Sequence, residues 1–230
     1  MKSKLAVLVG ALLLAGSAYA QTNQVLSVNA VGYVKVDLIA TNKLHLLANN
    51  FEPLNGPIAI SNTFASLPVG TQVYLWDSVA QAYISPITRG LFGWPPAASN
   101  TLVRGESFFL RSSSNATNAP QYSVYFMGEV PDASTAPTSS YSTAAGLKLI
   151  GNPYPVETKW TNSALAQAMP VGSQVFVWDA ASQSYSAPIT RGLFGWPPAG
   201  NALVLQPGRG VIVKTTNIFN YAEVKPYTWP

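Results

Sequence analysis

Few residues of this chain have the side chains that catalysis or metal binding requires. The 230 residues include one histidine, His45, no cysteine and nine acidic residues. The usual zinc ligand sets and the Cys–His and Ser–His nucleophile pairs are therefore excluded or reduced to one candidate base. His45 lies between two leucines on a predicted strand. The chain contains two similar copies of a unit of about a hundred residues, and the counterpart of His45 in the second copy is Lys148. We expect His45 to be a solvent-facing strand residue.

Carboxylate pairs are the remaining route to catalysis, since glycoside hydrolysis needs two acids about 5–10 Å apart. Only Asp77 and Asp179 recur between the two copies. Each follows a tryptophan at a predicted strand end, where an aspartate accepts backbone N–H bonds and fixes a turn. A calcium loop would need several acids within about a dozen residues, and these two stand alone. We therefore expect no catalytic residue, no metal and no cofactor.

One segment that could bind a ligand occurs twice. Pro86–Ala97 (PITRGLFGWPPA) recurs unchanged as Pro188–Ala199, an offset of 102 residues. The longer match of Pro68–Ala97 with Pro170–Ala199 is identical at 21 of 30 positions. Aromatic faces can stack on sugar rings, and guanidinium groups can donate hydrogen bonds to hydroxyls. The candidate binding residues are the arginine, phenylalanine and tryptophan of each copy: Arg89, Phe92, Trp94, Arg191, Phe194 and Trp196.

Two interpretations of this repeated loop are open. As a plug, its Phe and Trp close the open end of a β-unit while its Arg caps backbone carbonyls. As a surface, the same residues are exposed for binding or assembly. A plug accounts for the hydrophobicity but less well for the identity, because neighbouring positions differ (Tyr74 against Phe176, Leu75 against Val177). Recent gene conversion would also produce identical copies without any function.

The elements that position these loops are predicted to be strands. Short β-branched and aromatic runs alternate with turns rich in the 18 prolines and 17 glycines of the chain, which is typical of an all-β fold. Short helices are predicted near Asn62–Leu67 and Asn162–Met169, each ended by Pro-Val-Gly. The repeat predicts two similar β-sandwich-like units produced by internal duplication. Trp76 should then superpose on Trp178, and Trp94 on Trp196.

The N-terminus has the three parts of a secretory signal: basic Lys2 and Lys4, an apolar run, and the small-x-small site Ala18-Tyr19-Ala20. We expect cleavage before Gln21 and a secreted protein, extracellular or in the periplasm or cell envelope. No later segment has the roughly 18 apolar residues of a membrane span. The predicted divisions are a signal peptide (1–20), a first β-unit (21–131), a Ser/Thr/Ala/Pro-rich linker (132–143) and a second β-unit (144–230).

Short motifs of the chain resemble those of uncharacterised exported β-repeat modules of environmental Gram-negative bacteria. They are the GNPYP sequence in Gly146–Pro155 followed by Trp160, the VxxWD…Y hairpin, the PGRGVIV strand (207–213), weaker forms at 46–51 and 104–109, and NAVGYV at 29–34. This resemblance implies a β-rich exported module and carries no known activity.

Charge is scarce, at 10% of residues. Without Lys2 and Lys4, eleven basic residues are scattered among nine acidic ones, which is not a nucleic-acid-binding pattern. Surfaces with so little charge repel one another weakly. We expect a non-catalytic structural or adhesive exported protein whose partner is itself or an extracellular glycan or cell-surface component. The alternative is a glycan-binding module that uses the repeated aromatic loops, and a carboxylate-dependent glycoside hydrolase is less favoured.

Overall fold

The structure, a computed structural model, describes residues 30–39, 42–113, 121–132, 138–143 and 145–228. The predicted signal peptide lies outside these residues. The fold is all-β: antiparallel strands dominate, and the helices of the described residues are short. We call residues 30–132 the first unit and residues 138–228 the second unit.

The first unit contains one four-stranded sheet and two two-stranded sheets. Its strands are β1 (Val31–Ile39), β2 (Leu44–Ala48), β3 (Gln72–Tyr74), β4 (Trp76–Asp77), β5 (Ala82–Tyr83), β6 (Ile87–Thr88), β7 (Ser107–Arg111) and β8 (Gln121–Glu129). The large sheet has the order β2-β7-β3-β6, while β1 pairs with β8 and β4 with β5. An α-helix, Ile60–Thr63, and a 3-10 helix, Pro96–Ser99, lie in the connections.

The second unit has a large sheet of the same relative order. Its strands are β9 (Thr138–Thr143), β10 (Gly146–Gly151), β11 (Thr158–Lys159), β12 (Gln174–Phe176), β13 (Trp178–Asp179), β14 (Ser184–Tyr185), β15 (Ile189–Thr190), β16 (Val204–Leu205), β17 (Gly210–Thr215) and β18 (Phe219–Val224). The large sheet is β10-β17-β12-β15, and β9 pairs with β18, β13 with β14 and β11 with β16. Its helices are Trp160–Asn162 (3-10), Ala164–Ala168 and Pro198–Ala202.

The composition of the stretch 132–143 predicts a linker. Its second half, Thr138–Thr143, is strand β9, paired antiparallel with β18 along its whole length. Ser and Thr runs lack the apolar alternation that indicates a strand, but their backbones pair normally and β-branched Thr suits a sheet. The helix predicted at Asn162–Met169 is present as Ala164–Ala168, and its N-cap Ser163 accepts a hydrogen bond from the Ala166 N–H.

Three apolar clusters hold the strands together. One cluster lies inside each unit. In the first unit it lies between the large sheet and the β1–β8 pair, and in the second unit between the large sheet and the β9–β18 pair. The third lies between the two large sheets and is built from Leu46, Phe109, Leu149 and Ile212. Because successive side chains of a strand point to opposite faces, Leu46 belongs to this shared cluster and Leu47 to the first unit's own core. Each large sheet is therefore covered on both faces.

This double coverage makes one prediction wrong. His45 is only 1% exposed, because its strand β2 has no solvent-facing side. Its Nε2 lies 3.1 Å from the carbonyl oxygen of Ile39, and its Nδ1 has no hydrogen-bond partner among the described residues. Burial lowers the pKa of His45, with a smaller contribution from the positive charge of Arg209.

Candidate functional site

The two units contact each other through reciprocal hydrogen bonds. Trp76 Nε1 donates to the Leu147 carbonyl at 2.9 Å, and Trp178 Nε1 donates to the Leu44 carbonyl at 2.8 Å. We call two residues equivalent when they occupy the same place in the strand pairing of their units, as Leu44 and Leu147 do, and Trp76 and Trp178. Each unit therefore donates one Trp hydrogen bond to the other unit and accepts the equivalent bond from it, as in a twofold-symmetric dimer.

Two glutamines reinforce this arrangement with their side-chain amides. Gln81 Nε2 donates to the Leu147 carbonyl at 3.0 Å, and its Oε1 accepts from the Leu147 N–H at 2.7 Å. Gln183 makes the same pair of bonds to Leu44, at 3.1 and 2.8 Å. Both glutamines have a positive φ, 53° and 56°, and each amide imitates the edge of a neighbouring strand. The two units thus form one interlocked body.

Each repeated loop folds into a tight turn closed by two glycines. Gly90 and Gly93 exchange backbone hydrogen bonds of 2.8 and 3.2 Å, and Gly192 and Gly195 exchange bonds of 2.9 and 3.2 Å. Gly93 and Gly195 have φ of 105° and 101°, a conformation that favours glycine at the last position of the turn. The two residues between the glycines are left at the tip.

The tip residues are exposed to an unusual degree. Phe92 and Phe194 are 106% and 104% exposed, and Leu91 and Leu193 are 82% and 83% exposed. We call Leu91-Phe92 and Leu193-Phe194 the Leu-Phe tips. Sequence reasoning singled out the phenylalanines but missed the leucines, although the shared Gly-x-x-Gly spacing marks a turn with both residues at its end.

The tryptophans of the same loops turn the other way. Trp94 packs against the core of the first unit, and its Nε1 donates to the Phe64 carbonyl at 3.0 Å. Trp196 packs against the core of the second unit, and its Nε1 donates to the Ala166 carbonyl at 2.9 Å. Its ring also meets that of Trp160 edge to face, with centroids 5.1 Å apart. Both tryptophans are half-buried.

The arginines also serve the loop itself. Arg89 Nη2 donates to the Ala65 carbonyl at 3.2 Å, and Arg191 Nη1 donates to the Met169 carbonyl. Both therefore hold the segment that follows the short helix of their unit. The structure divides the six candidate residues into inward-facing Trp and Arg and outward-facing Phe. The plug interpretation describes the first group and the surface interpretation the second.

Asp77 and Asp179, the two acidic residues that recur in the sequence, stabilise turns. Asp77 Oδ1 accepts hydrogen bonds from the N–H groups of Val79 and Ala80, at 2.8 and 2.9 Å. These bonds lower the pKa of Asp77. The pKa of Asp179 is lowered chiefly by the Ser182 hydroxyl, 2.7 Å away. The described residues contain no group of three His, Cys, Asp or Glu side chains that could hold a metal ion.

None of the helices described is long and apolar enough to cross a membrane. No family model matches the chain, and no curated protein matches its sequence.

Proposed function

We propose that this chain is a non-catalytic structural or adhesive protein of the cell envelope or extracellular space that attaches through its two Leu-Phe tips. In both tips the phenylalanine is fully exposed and the leucine largely so, on one interlocked body, and this observation carries the proposal. Its exported location rests on the signal-like sequence of residues 1–20.

Packing does not require Leu and Phe at the tips. A phenylalanine that is entirely exposed adds no core contact and makes a protein less soluble. The surroundings of the loops differ in part: both indole N–H groups donate to a backbone carbonyl, but the Trp196 ring also meets Trp160 edge to face, whereas Trp94 packs against a core cluster with no other tryptophan among its described residues. The twelve residues of the loop are nevertheless the same in both units. A shared binding task accounts for the identity of Leu91-Phe92 and Leu193-Phe194, which neither core requires.

The size of a tip indicates that both act together. Complete burial of one Leu or Phe side chain contributes about 1.5–3 kcal/mol, so one tip contributes about 3–6 kcal/mol. Association costs about 4–15 kcal/mol, so a single tip cannot hold a partner firmly. Two tips on one body gain from effective concentration when a partner meets both at once, because the second contact then forms within an existing complex. We expect bivalent attachment, either between copies of this chain or to a surface that offers repeated apolar sites.

The alternative, a glycan site on the same loops, has less support. The Trp94 and Trp196 indole N–H groups are already bonded to backbone carbonyls, and Arg89 and Arg191 are directed at the body. A phenylalanine without a polar neighbour lacks the hydrogen bonds that orient a sugar. A carboxylate-dependent hydrolase is less favoured, since Asp77 and Asp179, the acids that recur in both copies, accept backbone N–H bonds in their turns.

Light scattering as a function of concentration and adsorption to hydrophobic and glycan-coated sensor surfaces test this function. Phe92→Ser or Phe194→Ser alone should weaken association strongly, because bivalency is lost, and the double variant should abolish it. Val79→Ser is the matched control, since Val79 is also exposed and apolar but lies in the turn between β4 and β5. Association of the double variant at the wild-type level would contradict attachment through the tips.

A further inference from the structure

Two grooves lie where the two units meet, and residues of both units line each of them. One encloses about 350 Å³ and the other about 450 Å³, within the usual range of ligand sites. Tyr83 and Tyr185 are equivalent residues, and both of them line both grooves. The first groove is completed by Tyr74, Phe109 and Trp178, and the second by Phe176, Ile212 and Trp76.

The aromatic walls of the grooves hold one another in place. Tyr83 meets Trp76 edge to face with centroids 4.9 Å apart, and Tyr185 meets Trp178 in the same way at 4.8 Å. Phe109 lies 5.2 Å from Trp178, which links the walls of the two units. Because the Trp N–H groups are fixed by the reciprocal bonds across the interface, the ring faces are preformed and lose little freedom on binding.

Each groove also carries one positive charge at an equivalent position. Arg111 lies in the first groove and Lys214 in the second, opposite Leu44 and Leu147 in their ladders. Gln72 orients Arg111: its Oε1 accepts from Arg111 Nη1 at 3.3 Å and from the Tyr74 hydroxyl at 2.8 Å. None of the described residues that line either groove is a carboxylate.

We propose that these grooves bind an oligosaccharide that contains acidic sugars. Aromatic rings with negative faces attract the C–H groups of a sugar ring, and a guanidinium or ammonium group pairs with a carboxylate. One cation for each groove suits a polymer in which acidic and neutral sugars alternate. Single-stranded nucleic acid carries a charge on every nucleotide and is usually bound by a track of many cations. This site is separate from the tips.

Isothermal titration calorimetry on the signal-cleaved protein tests the proposal with three probes. Hyaluronan hexasaccharide carries one carboxylate for each disaccharide. The neutral counterpart is fully N-acetylated chitohexaose, called chitohexaose below, and oligothymidylate represents nucleic acid. We expect the hyaluronan fragment to bind about tenfold or more tightly than chitohexaose, as one charge-assisted hydrogen bond predicts. Raising the salt concentration should weaken this difference. No saturable binding of the acidic fragment, or tighter binding of oligothymidylate, would overturn the assignment.

Substitutions of the cations give the sharper control. Arg111→Gln and Lys214→Gln should together bring the affinity for the acidic fragment down to that for chitohexaose, while Arg111→Lys should retain much of it. Lys214 is exposed, so Lys214→Gln should fold even if Arg111→Gln proves unstable. Unchanged affinity in the double variant would refute the role of the charges. The Phe92→Ser, Phe194→Ser protein should bind the fragment normally, so a failure of attachment through the tips leaves this result unaffected.

Discussion

The contact between the two units predicts a specific rescue experiment at Gly151. A Cβ atom built on Gly151 would lie closer than 3.0 Å to the Cβ of Ala48, whereas carbon atoms in contact are about 3.5–4.0 Å apart. Ala48 and Gly151 are equivalent residues that meet each other, and we call the place where equivalent residues of the two units meet the axis. Only one of the two positions can carry a side chain.

Gly151→Ala should destabilise the protein by about 2–5 kcal/mol. Overpacking of a filled site costs about 1–3 kcal/mol. The shift that relieves it must also stretch the bonds from the Gly151 N–H to the Gly105 carbonyl, 2.9 Å, and from the Ala48 N–H to the Gly208 carbonyl, 3.1 Å. Weakening these two bonds adds about 1–2 kcal/mol in total. Urea unfolding followed by tryptophan fluorescence measures the difference.

Ala48→Gly in the same chain should restore most of this stability, because the single methyl group then lies on the other side of the axis. A glycine in a strand costs about 0.5–1 kcal/mol, so the double variant should unfold within about 1 kcal/mol of the wild type. Gly192→Ala is the matched control, since its Cβ would meet its nearest atom at an ordinary 3.6 Å. Strict additivity of the two substitutions would refute this account of the interface.

Three further predictions concern the loops, the buried histidine and the reciprocal bonds. Trp94→Ala should lower the free energy of unfolding by about 2–4 kcal/mol, because packing is lost and a carbonyl is left unpaired. Phe92→Ala should change it by less than about 0.5 kcal/mol. Equal effects of the two substitutions in urea melts would contradict an inward-facing Trp and an outward-facing Phe. The pKa of His45 is lower in the folded than in the unfolded chain, so below pH about 6.5 the unfolded chain binds the proton first. The free energy of unfolding should therefore fall as the pH decreases, by at most about 1.4 kcal/mol per pH unit. The fall ends once the pH is below the folded-state pKa. His45→Gln should remove that component from thermal melts between neutral pH and the range where carboxylates titrate. Gln81→Ala should cost about 1–2 kcal/mol through its two bonds to the second unit, and a loss near zero would show that solvent replaces them.

The sequence is informative where local chemistry decides the structure. Trp76-Asp77 and Trp178-Asp179 form hairpin strands as predicted, and Asp77 and Asp179 fix their turns with backbone N–H bonds. Pro-Val-Gly ends the second predicted helix where expected, after Ala168. Proline, glycine and aspartate act within a few residues of themselves, so no knowledge of distant contacts is needed.

Prediction failed where a distant contact decides. Leu44–Ala48 is an apolar strand interrupted by His45, and a polar residue in such a strand normally marks a solvent-facing side. Here the second unit covers the Leu46 face, and the first unit's own core covers the face of His45 and Leu47. The strand Thr138–Thr143 was missed for a related reason, since its pairing with β18 is formed by the backbone.

Packing restricts the repeated sequence at the axis, where equivalent residues of the two units meet, but not at the Leu-Phe tips. At the axis, equivalent side chains meet each other, so Ala48 must face Gly151, and Ser107 must face Gly210, where an added Cβ would again be closer than 3.0 Å. Packing therefore forces the two units to differ there. At the tips, neither Cβ clashes nor core contacts restrict the side chains, and the two units could differ freely. They are nevertheless the same. This identity is expected if each tip meets the same partner, as we propose, and recent gene conversion would also produce it.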